Sequence, residues 1–471
     1  MTENSIYWYD FETFGSDPRR CRAAQFAGLR TDENLEPIGE PLVLYCKPAG
    51  DFLPDPVSCL ITGITPQKAL EAGVSEAEFI TRIKQEFGRP GTCIAGYNNI
   101  RFDDELTRQL LYRNFFDPYE HEWRDGNSRW DIIDMTRLCA ATRPEGVNWP
   151  QSDEGVTTFR LSELSRANGL EHEHAHDALS DVRATIELAG LIRDRQPRLY
   201  DYVFQLRRKD RVGAQIDLFT RKPILHVSGR YPARQGCLGL VIPAGAHPVN
   251  KNGVVVYDLR VDPGQWAGLS AEQLAAHLFT PRDELEGERL PLKIVSMNRC
   301  PVVTSPAALA PERAGQFGID HDVCRDHWEY LVRNPELLQR FCDLFQADGG
   351  RQEDDPDFMI YSGFFGDDDR SHMETLRGIA PADLGRVDFP FKDRRLPEMQ
   401  FRYRARNFPE TLKGEEDARW REFCRSRLEE PAAVERFEQS LEKVRESDQP
   451  ESDRIVADLT DYVAGIRAAV A

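Results

Sequence analysis

An aromatic stretch with two carboxylates opens the chain at residues 5–13, SIYWYDFET, and a glycine-containing turn follows it. The β-favouring side chains and the turn predict a strand. Because strand side chains alternate between two faces, Asp10 and Glu12 point the same way. Neighbouring carboxylates repel each other unless a cation binds between them, and oxygen-only ligands suit a hard cation such as magnesium or manganese. Taken alone, however, a D-x-E is more often a chance pair at the end of an edge strand.

The length and composition indicate a globular protein of several domains. A chain of 471 residues with 40% hydrophobic and 30% charged residues predicts about two to four domains with sizeable cores. No apolar run approaches the roughly 20 residues of a membrane-spanning helix, and the polar start does not resemble a signal peptide. The ten cysteines stand singly, without a C-x-x-C pair. They predict reduced thiols and a cytoplasmic location, and they argue against a zinc site.

The charge balance gives a mixed prediction about partners. A formal net charge of −19 argues against non-specific binding to nucleic acid, whose phosphates are bound by lysine and arginine. It is compatible with a local basic groove, and basic residues cluster at 207–211, 221–222 and 394–406. It is also compatible with a protein that mainly binds other proteins, which steep salt dependence of strand binding would contradict.

The elements that follow the first strand predict a mixed α/β domain. Residues 23–29 and 42–46 predict two further strands of an antiparallel meander, and residues 92–97 predict a short buried strand. Ser75 is the predicted N-cap of a helix that ends at Phe87.

Asp103 lies where a predicted strand passes into a predicted helix. Leu106, Leu110 and Leu111 form an apolar stripe at helical spacing directly after it. Strand-to-helix junctions commonly carry ligand groups in α/β sheets. The alternative is that Asp103 and Asp104 merely favour the positive end of the helix dipole, and the local sequence leaves both interpretations open.

The stretch EHEHAHDALSD adds a histidine and another aspartate. Asp177 can cap a helix that runs to about Arg193, which leaves His176 just outside that helix and Asp181 about one turn inside it. The histidines here are not accompanied by cysteine or by a helical i, i+4 histidine pair, so zinc is disfavoured. Taken alone, His176 is compatible with an ordinary surface histidine.

Composition divides the rest of the chain into further segments. Short β-type runs separated by glycine turns predict a small β-barrel with helical insertions at 271–278 and 323–345. Dense mixed charge at helical spacing predicts exposed helices near the C-terminus. The predicted domains are residues 1–200, 201–348 and 349–471. Loops or linkers are predicted at residues 54–56, 62–63, 207–211 and 349–357.

The weak motifs combine into a specific pattern. Asp10 and Glu12, then Asp103, then His176 and Asp181 occur in the order D-x-E, an aspartate entering a helix, and H-x4-D. With this order the sequence resembles the DEDDh family of 3′→5′ exonucleases, which has a ribonuclease-H-like fold. Further runs resemble the bacterial exonuclease I branch of that family, so that the resemblance covers nearly the whole chain. The matching runs are residues 10–15, 96–105, 127–131, 175–178, 226–229, 361–365 and 403–409.

The resemblance implies an α/β fold class: a ribonuclease-H-like mixed-sheet nuclease domain, a small SH3-like β-barrel domain and a C-terminal helical domain. It implies that single-stranded DNA is degraded processively from its 3′ end to 5′-mononucleotides, with a role in DNA repair and recombination. It further implies a partner, the acidic C-terminal tail of single-stranded-DNA-binding protein, for which Lys222 and Arg333 are the predicted notch residues. The protein is expected to be a monomer without membrane association.

The chemistry of the family explains the residue types. Phosphodiester hydrolysis needs an activated water, a neutralised phosphate and a stabilised leaving oxygen, which two divalent ions roughly 4 Å apart can supply. We therefore expect two Mg²⁺ ions, for which Mn²⁺ can substitute. Asp10 is the predicted bridging ligand, Glu12 and Asp181 complete one site, and Asp103 supports the second. His176 is predicted to accept the proton of the attacking water, because histidine is largely neutral near pH 7.

A DNA strand also needs a groove beyond the reacting phosphate. Tyr361 and Phe364 are predicted to stack on bases, with core packing as the alternative. Thr13 and Phe14 are predicted to meet the terminal nucleotide, together with Glu12. The remaining predicted strand contacts, each also compatible with a simply solvated side chain, are Arg108, Tyr119, Arg137, Arg160 and Lys209.

Two other functions remain compatible with the site residues. A 3′→5′ exonuclease acting on RNA would use the same five residues, although the domains after Arg207 and the runs at Tyr361 and Tyr403 favour DNA. A non-catalytic binding protein built on an inactive nuclease fold is disfavoured by the retention of all five.

Overall fold

The computed structural model describes residues 4–170, 177–346 and 353–471. This part of the chain forms two compact units. The first unit comprises the described residues of 1–128, 172–183 and 352–471, and the second those of 129–171 and 184–351. None of the helices in these ranges is long and apolar enough to cross a membrane.

Strands and helices alternate in the first half of the chain, and helices dominate the end. The strands are β1 (Ser5–Thr13), β2 (Ala23–Thr31), β3 (Leu42–Tyr45), β4 (Thr92–Gly96), β5 (Ser128–Asp131), β6 (Ile224–Val227), β7 (Leu238–Ala246), β8 (Gly253–Asp258), β9 (Leu292–Ser296) and β10 (Val302–Thr304). The α-helices are α1 (Pro56–Thr62), α2 (Pro66–Ala72), α3 (Glu76–Phe87), α4 (Asp103–Arg113), α5 (Ile133–Thr142), α6 (Leu161–Asn168), α7 (Ala178–Arg195), α8 (Pro197–Gln205), α9 (Lys209–Gly213), α10 (Ala271–Phe279), α11 (Pro311–Gln316), α12 (His321–Arg333), α13 (Pro335–Asp343), α14 (Asp367–Arg377), α15 (Leu396–Asn407), α16 (Glu415–Leu428), α17 (Pro431–Arg445) and α18 (Ser452–Val470).

The sheet of the first unit is mixed and has β1 in its interior. β1 pairs antiparallel with β2 and parallel with β4, and β2 pairs antiparallel with β3. This confirms the predicted meander and the mixed sheet. The register of β1 shifts between Glu12 and Thr13, so that the strand is irregular where its carboxylates end.

Alternation along β1 separates a core face from a polar face. Tyr7, Tyr9 and Phe11 belong to one buried cluster with side chains of α3 and α4, among them Phe79 and Leu110. The carboxylates of β1 occupy the intervening positions and therefore point to the opposite face. The sheet thus presents the predicted D-x-E pair away from this core.

Two short helices occupy a region for which the sequence predicts only loops. Asp55 caps α1 by accepting a hydrogen bond from Ser58 N at 2.9 Å, and Thr65 caps α2 by accepting one from Lys68 N at 3.3 Å. Each cap is followed by a proline at the first helical position. A polar cap followed by proline is a helix start signal, so the loop predictions at 54–56 and 62–63 are wrong within α1 and α2.

The C-terminal helices are part of the first unit. Val444, Ile455 and Leu459 of α17 and α18 form one hydrophobic cluster with residues of the N-terminal segment, including Phe14 and Cys59. The predicted acidic linker at 349–357 is not loose where the structure describes it, because Asp355 and Asp357 both pair with Arg402. Its first residues, 349–352, lie outside the described residues.

The second unit is built on a five-stranded antiparallel sheet with the order β10-β6-β7-β8-β9. Its core includes Val241, Val254 and Val303, and it agrees with the predicted small β-barrel. The predicted helix at 323–345 is two helices, because Pro335 cannot continue α12. The predicted linker at 207–211 overlaps the short helix α9.

Candidate active site

Three carboxylates converge from β1 and α7. Asp10, Glu12 and Asp181 each offer one oxygen, and these oxygens all lie within 4.8 Å of one another. The first two come from one face of β1, and the third from the first turn of α7. The structure therefore brings together residues that are separated by about 170 positions in the chain.

Asp103 lies beside this group, at the start of α4. Its Oδ1 accepts a hydrogen bond from Phe11 N at 3.3 Å, which ties the helix start to β1. The neighbouring Asp104 accepts instead from the Tyr9 hydroxyl at 2.6 Å and from Asn99 Nδ2 at 3.4 Å. Adjacent aspartates thus have different functions: Asp104 fixes α4 to the sheet core, and Asp103 adds charge to the site. We call Asp10, Glu12, Asp103 and Asp181 the acidic cluster.

The carboxylates of the acidic cluster disfavour one another's charge. Burial, followed by Asp103, Glu12 and Asp181, raises the pKa of Asp10 well above its usual range. Burial, followed by Asp181 and Asp103, raises the pKa of Glu12 to about 9. The carboxyl groups of Asp10 and Glu12 can therefore be ionised at neutral pH only when a cation binds beside them. The oxygen-only donors and their spacing fit a hard divalent ion.

Asp177 begins α7 as the sequence predicts. Its carboxylate accepts a hydrogen bond from Ser180 N at 3.2 Å, and its carbonyl accepts one from Asp181 N at 3.0 Å. Asp177 also contributes to the raised pKa of Asp10 and Glu12, a second effect that its capping position alone does not indicate. His176 lies outside the described residues.

Two of the predicted stacking residues are exposed. The side chain of Tyr361 is about half exposed, at 49%, and that of Phe364 is 82% exposed. The core-packing alternative is therefore excluded for both. Tyr119 contacts Phe364 edge-on, with ring centroids 5.9 Å apart, and the Tyr361 hydroxyl donates to Glu105. We call Tyr119, Tyr361 and Phe364 the aromatic strip.

Arg108 packs against the Tyr119 ring of the aromatic strip. Its side chain is only 6% exposed; its Nε donates to Glu122 Oε1 at 2.7 Å, and its Nη1 lies 3.7 Å from Glu105 Oε2. Its guanidinium lies 5.5 Å from the ring centroid of Tyr119. The charge of Arg108 is thus balanced by two carboxylates, and its visible contribution is to hold Tyr119 in place.

The two residues after the D-x-E pair are buried. Phe14 is 2% exposed and packs 6.0 Å from Phe52, between ring centroids, in the core that the C-terminal helices complete. Its N–H and C=O are both bonded within the backbone, so the structure does not support the predicted contact of Phe14 with a nucleotide. Thr13 is also buried, and its hydroxyl donates to Gly15 O at 2.6 Å.

The remaining predicted contact residues belong to the second unit. Arg160 and Arg333 are exposed; Arg160, which precedes α6, pairs with Glu163 of that helix, and Arg333 pairs with Glu329 within α12. Arg137 is largely buried beside Asp134, with a 2.6 Å contact. The full set is Arg137, Arg160, Lys209, Lys222 and Arg333.

Three family models match the chain in succession. Residues 7–189 match a model described as Exonuclease. Residues 207–347 match the Exonuclease I SH3-like domain, and residues 354–466 match the Exonuclease I C-terminal domain. The first match contains the whole acidic cluster, and the third contains Tyr361 and Phe364.

Solved structures with bound molecules are among the similar proteins. Exonuclease I of E. coli in complex with a dA16 oligonucleotide is 42% identical, covers 98% of this chain and 100% of its own, and has a TM-score of 0.95. A zinc-bound form of the E. coli ExoI–ssDNA complex is also 42% identical, with 99% and 100% coverage and a TM-score of 0.95. A structure of SSB/Exonuclease I with the inhibitor CFAM, 42% identical over 99% and 100% of the chains, has a TM-score of 0.91.

Curated relatives agree over nearly the full length. Exodeoxyribonuclease I of Escherichia coli (strain K12) is 45% identical over 425 residues, which are 90% of each chain. Exodeoxyribonuclease I of Haemophilus influenzae is 42% identical over 470 residues, which are 98% of each chain. Identity at this level over this length shows common descent and a common fold. The chain belongs to the exodeoxyribonuclease I family.

Proposed function

We propose that this 3′→5′ exonuclease degrades single-stranded DNA processively to 5′-mononucleotides at the acidic cluster, with two divalent ions bound there. The single observation that carries the proposal is the convergence of Asp10, Glu12 and Asp181, whose oxygens lie within 4.8 Å of one another. Carboxylates at this spacing have no structural benefit of their own, because each raises the cost of ionising the others.

The residues of the acidic cluster have distinct tasks in this proposal. Asp10 would contribute to both ion positions, Glu12 and Asp181 would hold one ion, and Asp103 would support the other. When bound, divalent ions neutralise the scissile phosphate, stabilise the leaving 3′-oxygen and acidify water. His176, which directly precedes the capping Asp177 in the sequence, accepts the proton of the attacking water. Magnesium is the proposed ion, with manganese able to substitute.

The aromatic strip supports a single-stranded substrate. The exposed rings of Tyr361 and Phe364, with the partly buried ring of Tyr119 beside them, can stack on any base, which stabilises a strand without reading its sequence. A paired duplex does not offer its base faces to such rings. The related E. coli enzyme in complex with a dA16 oligonucleotide supports the same substrate for this chain.

The second unit is the proposed place for a protein partner. We propose that the acidic C-terminal tail of single-stranded-DNA-binding protein binds near Lys222 and Arg333, since a carboxylate-rich tail needs exposed cations. The related SSB/Exonuclease I structure supports such a partner. Thr13, Arg137, Arg160 and Lys209 remain proposed strand contacts.

The cellular setting is also a proposal. Recruitment to single-stranded DNA fits a role in repair and recombination. All ten cysteines are free thiols, which supports a reducing compartment such as the cytoplasm. We further propose that the protein acts as a monomer of three domains, at 1–200, 201–348 and 349–471, and the family matches at 7–189, 207–347 and 354–466 support this division.

Digestion of matched oligonucleotides tests the proposal. One sequence is prepared as single-stranded DNA, duplex DNA and RNA, labelled at the 5′ end, and incubated with magnesium or with EDTA. Magnesium-dependent shortening from the 3′ end of single-stranded DNA is the expected result. Preferential digestion of RNA, or digestion that continues in EDTA, would contradict it.

A further inference from the structure

The loop after β1 carries two adjacent arginines that make different contacts. Arg19 Nε lies 3.6 Å from Glu105 Oε1, and its guanidinium lies 5.3 Å from the ring centroid of Tyr361. Arg20 instead contacts Glu353 at 2.7 Å and lies 4.6 Å from the ring centroid of Phe358. No sequence pattern singles out Arg19, because its partners are distant in the chain.

Glu105 joins Arg19 to the aromatic strip. Glu105 accepts a hydrogen bond from the Tyr361 hydroxyl and lies 3.7 Å from Arg108 Nη1. It follows Asp103 by two residues in the first turn of α4, and Arg19 follows the end of β1 by six residues. Arg19 is therefore attached to the elements that carry the acidic cluster.

The two arginines at the strip differ in how available their charge is. Arg108 is 6% exposed and is bound by Glu122, whereas the Arg19 side chain is 65% exposed. Only the Nε edge of Arg19 faces Glu105. Across residues 4–170, 177–346 and 353–471, its two Nη groups make no hydrogen bond. Arg19 is thus an exposed guanidinium beside Tyr361.

We propose that Arg19 binds a backbone phosphate of the DNA strand close to the 3′-terminal nucleotide, an inference that rests on the proposed single-stranded substrate. The paired Nη donors of arginine match the geometry of phosphate oxygens. Contacts with Glu105 and Tyr361 restrict the side chain before the strand arrives, which reduces the entropy lost on binding. A cation is needed at this point, because the nearby carboxylates repel a polyanion.

Steady-state kinetics of two neighbouring variants tests the assignment. Arg19→Ala should raise KM for single-stranded DNA about tenfold and leave kcat within about twofold of wild type, since a charge-assisted hydrogen bond to substrate is lost. Arg20→Ala removes the same charge one position away and should leave KM within about twofold. Equal KM values for both variants, or a change in kcat alone, would overturn the proposal.

The salt dependence of 1/KM gives a second readout. Loss of one phosphate contact should reduce the slope of log(1/KM) against log salt by about 0.7 in Arg19→Ala, but not in Arg20→Ala. Arg19→Lys should recover most of this slope. An unchanged slope in Arg19→Ala would show that Arg19 does not bind phosphate.

An uncharged methylphosphonate linkage in the oligonucleotide identifies which phosphate Arg19 binds. Oligonucleotides with one methylphosphonate at successive positions from the 3′ end are compared in wild type and Arg19→Ala. One position should raise KM in wild type without a further increase in the variant, because both changes remove the same contact. Additive effects at every position would overturn the assignment. If wild type itself does not digest single-stranded DNA, the proposed substrate fails rather than the assignment of Arg19.

Discussion

The first unit contains two buried groups of charged side chains that are arranged in opposite ways. The acidic cluster brings carboxylates together, and within the described ranges 4–170, 177–346 and 353–471 burial and other carboxylates raise the pKa of its Asp10 and Glu12. The second group alternates arginines with carboxylates, and we call it the ion-pair network. Its members are Arg22, Asp51, Glu76, Arg113, Asp357, Arg402 and Arg406.

The ion-pair network satisfies its carboxylates with arginines from distant segments. Asp51 contacts Arg22 at 3.0 Å and Arg406 at 2.8 Å, between its Oδ2 and their side-chain nitrogens. Asp357 contacts Arg402 at 2.9 Å and also pairs with Arg406. These bonds join the N-terminal segment to α15 within one unit.

Glu12 of the acidic cluster and Asp51 of the ion-pair network are both buried, but their pKa shifts have opposite signs. Burial opposes ionisation of Asp51, yet Arg22 and Arg406 outweigh it and hold its pKa below the usual range. In the acidic cluster, burial and neighbouring carboxylates act together and raise the pKa of Glu12 to about 9. The comparison teaches that carboxylates alternating with arginines are compatible with a stable interior, whereas carboxylates gathered side by side mark a place for a ligand.

Asp10→Asn should produce the largest effect, a loss of at least about 10³-fold in kcat. Removing this ligand forfeits several kcal/mol of charge stabilisation by divalent ions in the transition state. The measurement is the rate of 3′-end shortening of labelled single-stranded DNA, with circular dichroism to confirm folding. Asp51→Asn is the matched control, a buried carboxylate whose loss should lower stability but leave the folded fraction active. Comparable losses of kcat in Asp10→Asn and Asp51→Asn would contradict the functional distinction between the acidic cluster and the ion-pair network.

Arg406→Ala should destabilise the protein by about 3–5 kcal/mol. The substitution leaves Asp51 and Asp357 buried with one partner fewer, and uncompensated buried charge is expensive. The urea midpoint of the first unit reports this change. A decrease in the free energy of unfolding below about 1 kcal/mol would mean that the ion-pair network does not stabilise the packing of α15 against the N-terminal segment.

Acid should weaken the ion-pair network through Glu76. Burial opposes its ionisation, but Arg113 and Arg22 outweigh burial and lower its pKa from 4.5 to about 2. The unfolded chain therefore binds this proton more tightly. The stabilisation, on the order of 3 kcal/mol, is present above about pH 4.5 and is lost as the pH falls through about 2. Urea midpoints at pH 5 and pH 3 should differ less in Glu76→Gln than in wild type, and equal pH dependence would contradict this.

The smallest effect is expected at an exposed ion pair. Arg333→Ala removes an ion pair with Glu329 on the surface of α12. Because the Arg333 side chain is largely in water, its loss should change the free energy of unfolding by no more than about 1 kcal/mol. Its urea midpoint provides the baseline for Arg406→Ala. A decrease in stability as large as that of Arg406→Ala would show that the burial of an ion pair does not determine its contribution to stability.

The local parts of the site could be predicted from the sequence. Alternation in β1 places Asp10 and Glu12 on one face, and the capping residue Asp177 places Asp181 in the first turn of α7. Both predictions use contacts within a few residues. The resemblance to DEDDh exonucleases supplied the link between these segments, and the structure shows three of the carboxylates together.

The remaining features depend on contacts that sequence spacing does not show. The Arg406–Asp51 bond joins residues 355 positions apart, and Arg19 reaches Tyr361 through the same packing of the C-terminal segment. Phe14 illustrates the reverse error. It lies two residues after Glu12 of the D-x-E pair, but it is buried in a core that helices α17 and α18 complete.

Thermal unfolding with magnesium and with EDTA tests the central claim most directly, in wild type and in Asp10→Asn. If the acidic cluster is an ion site, magnesium at 100 times its dissociation constant should stabilise wild type by about 2.7 kcal/mol. Asp10→Asn should lose most of this gain and should be at least as stable as wild type in EDTA, because one repelling carboxylate is gone. An Asp10→Asn protein that is less stable in EDTA, together with a wild type indifferent to magnesium, would contradict the account.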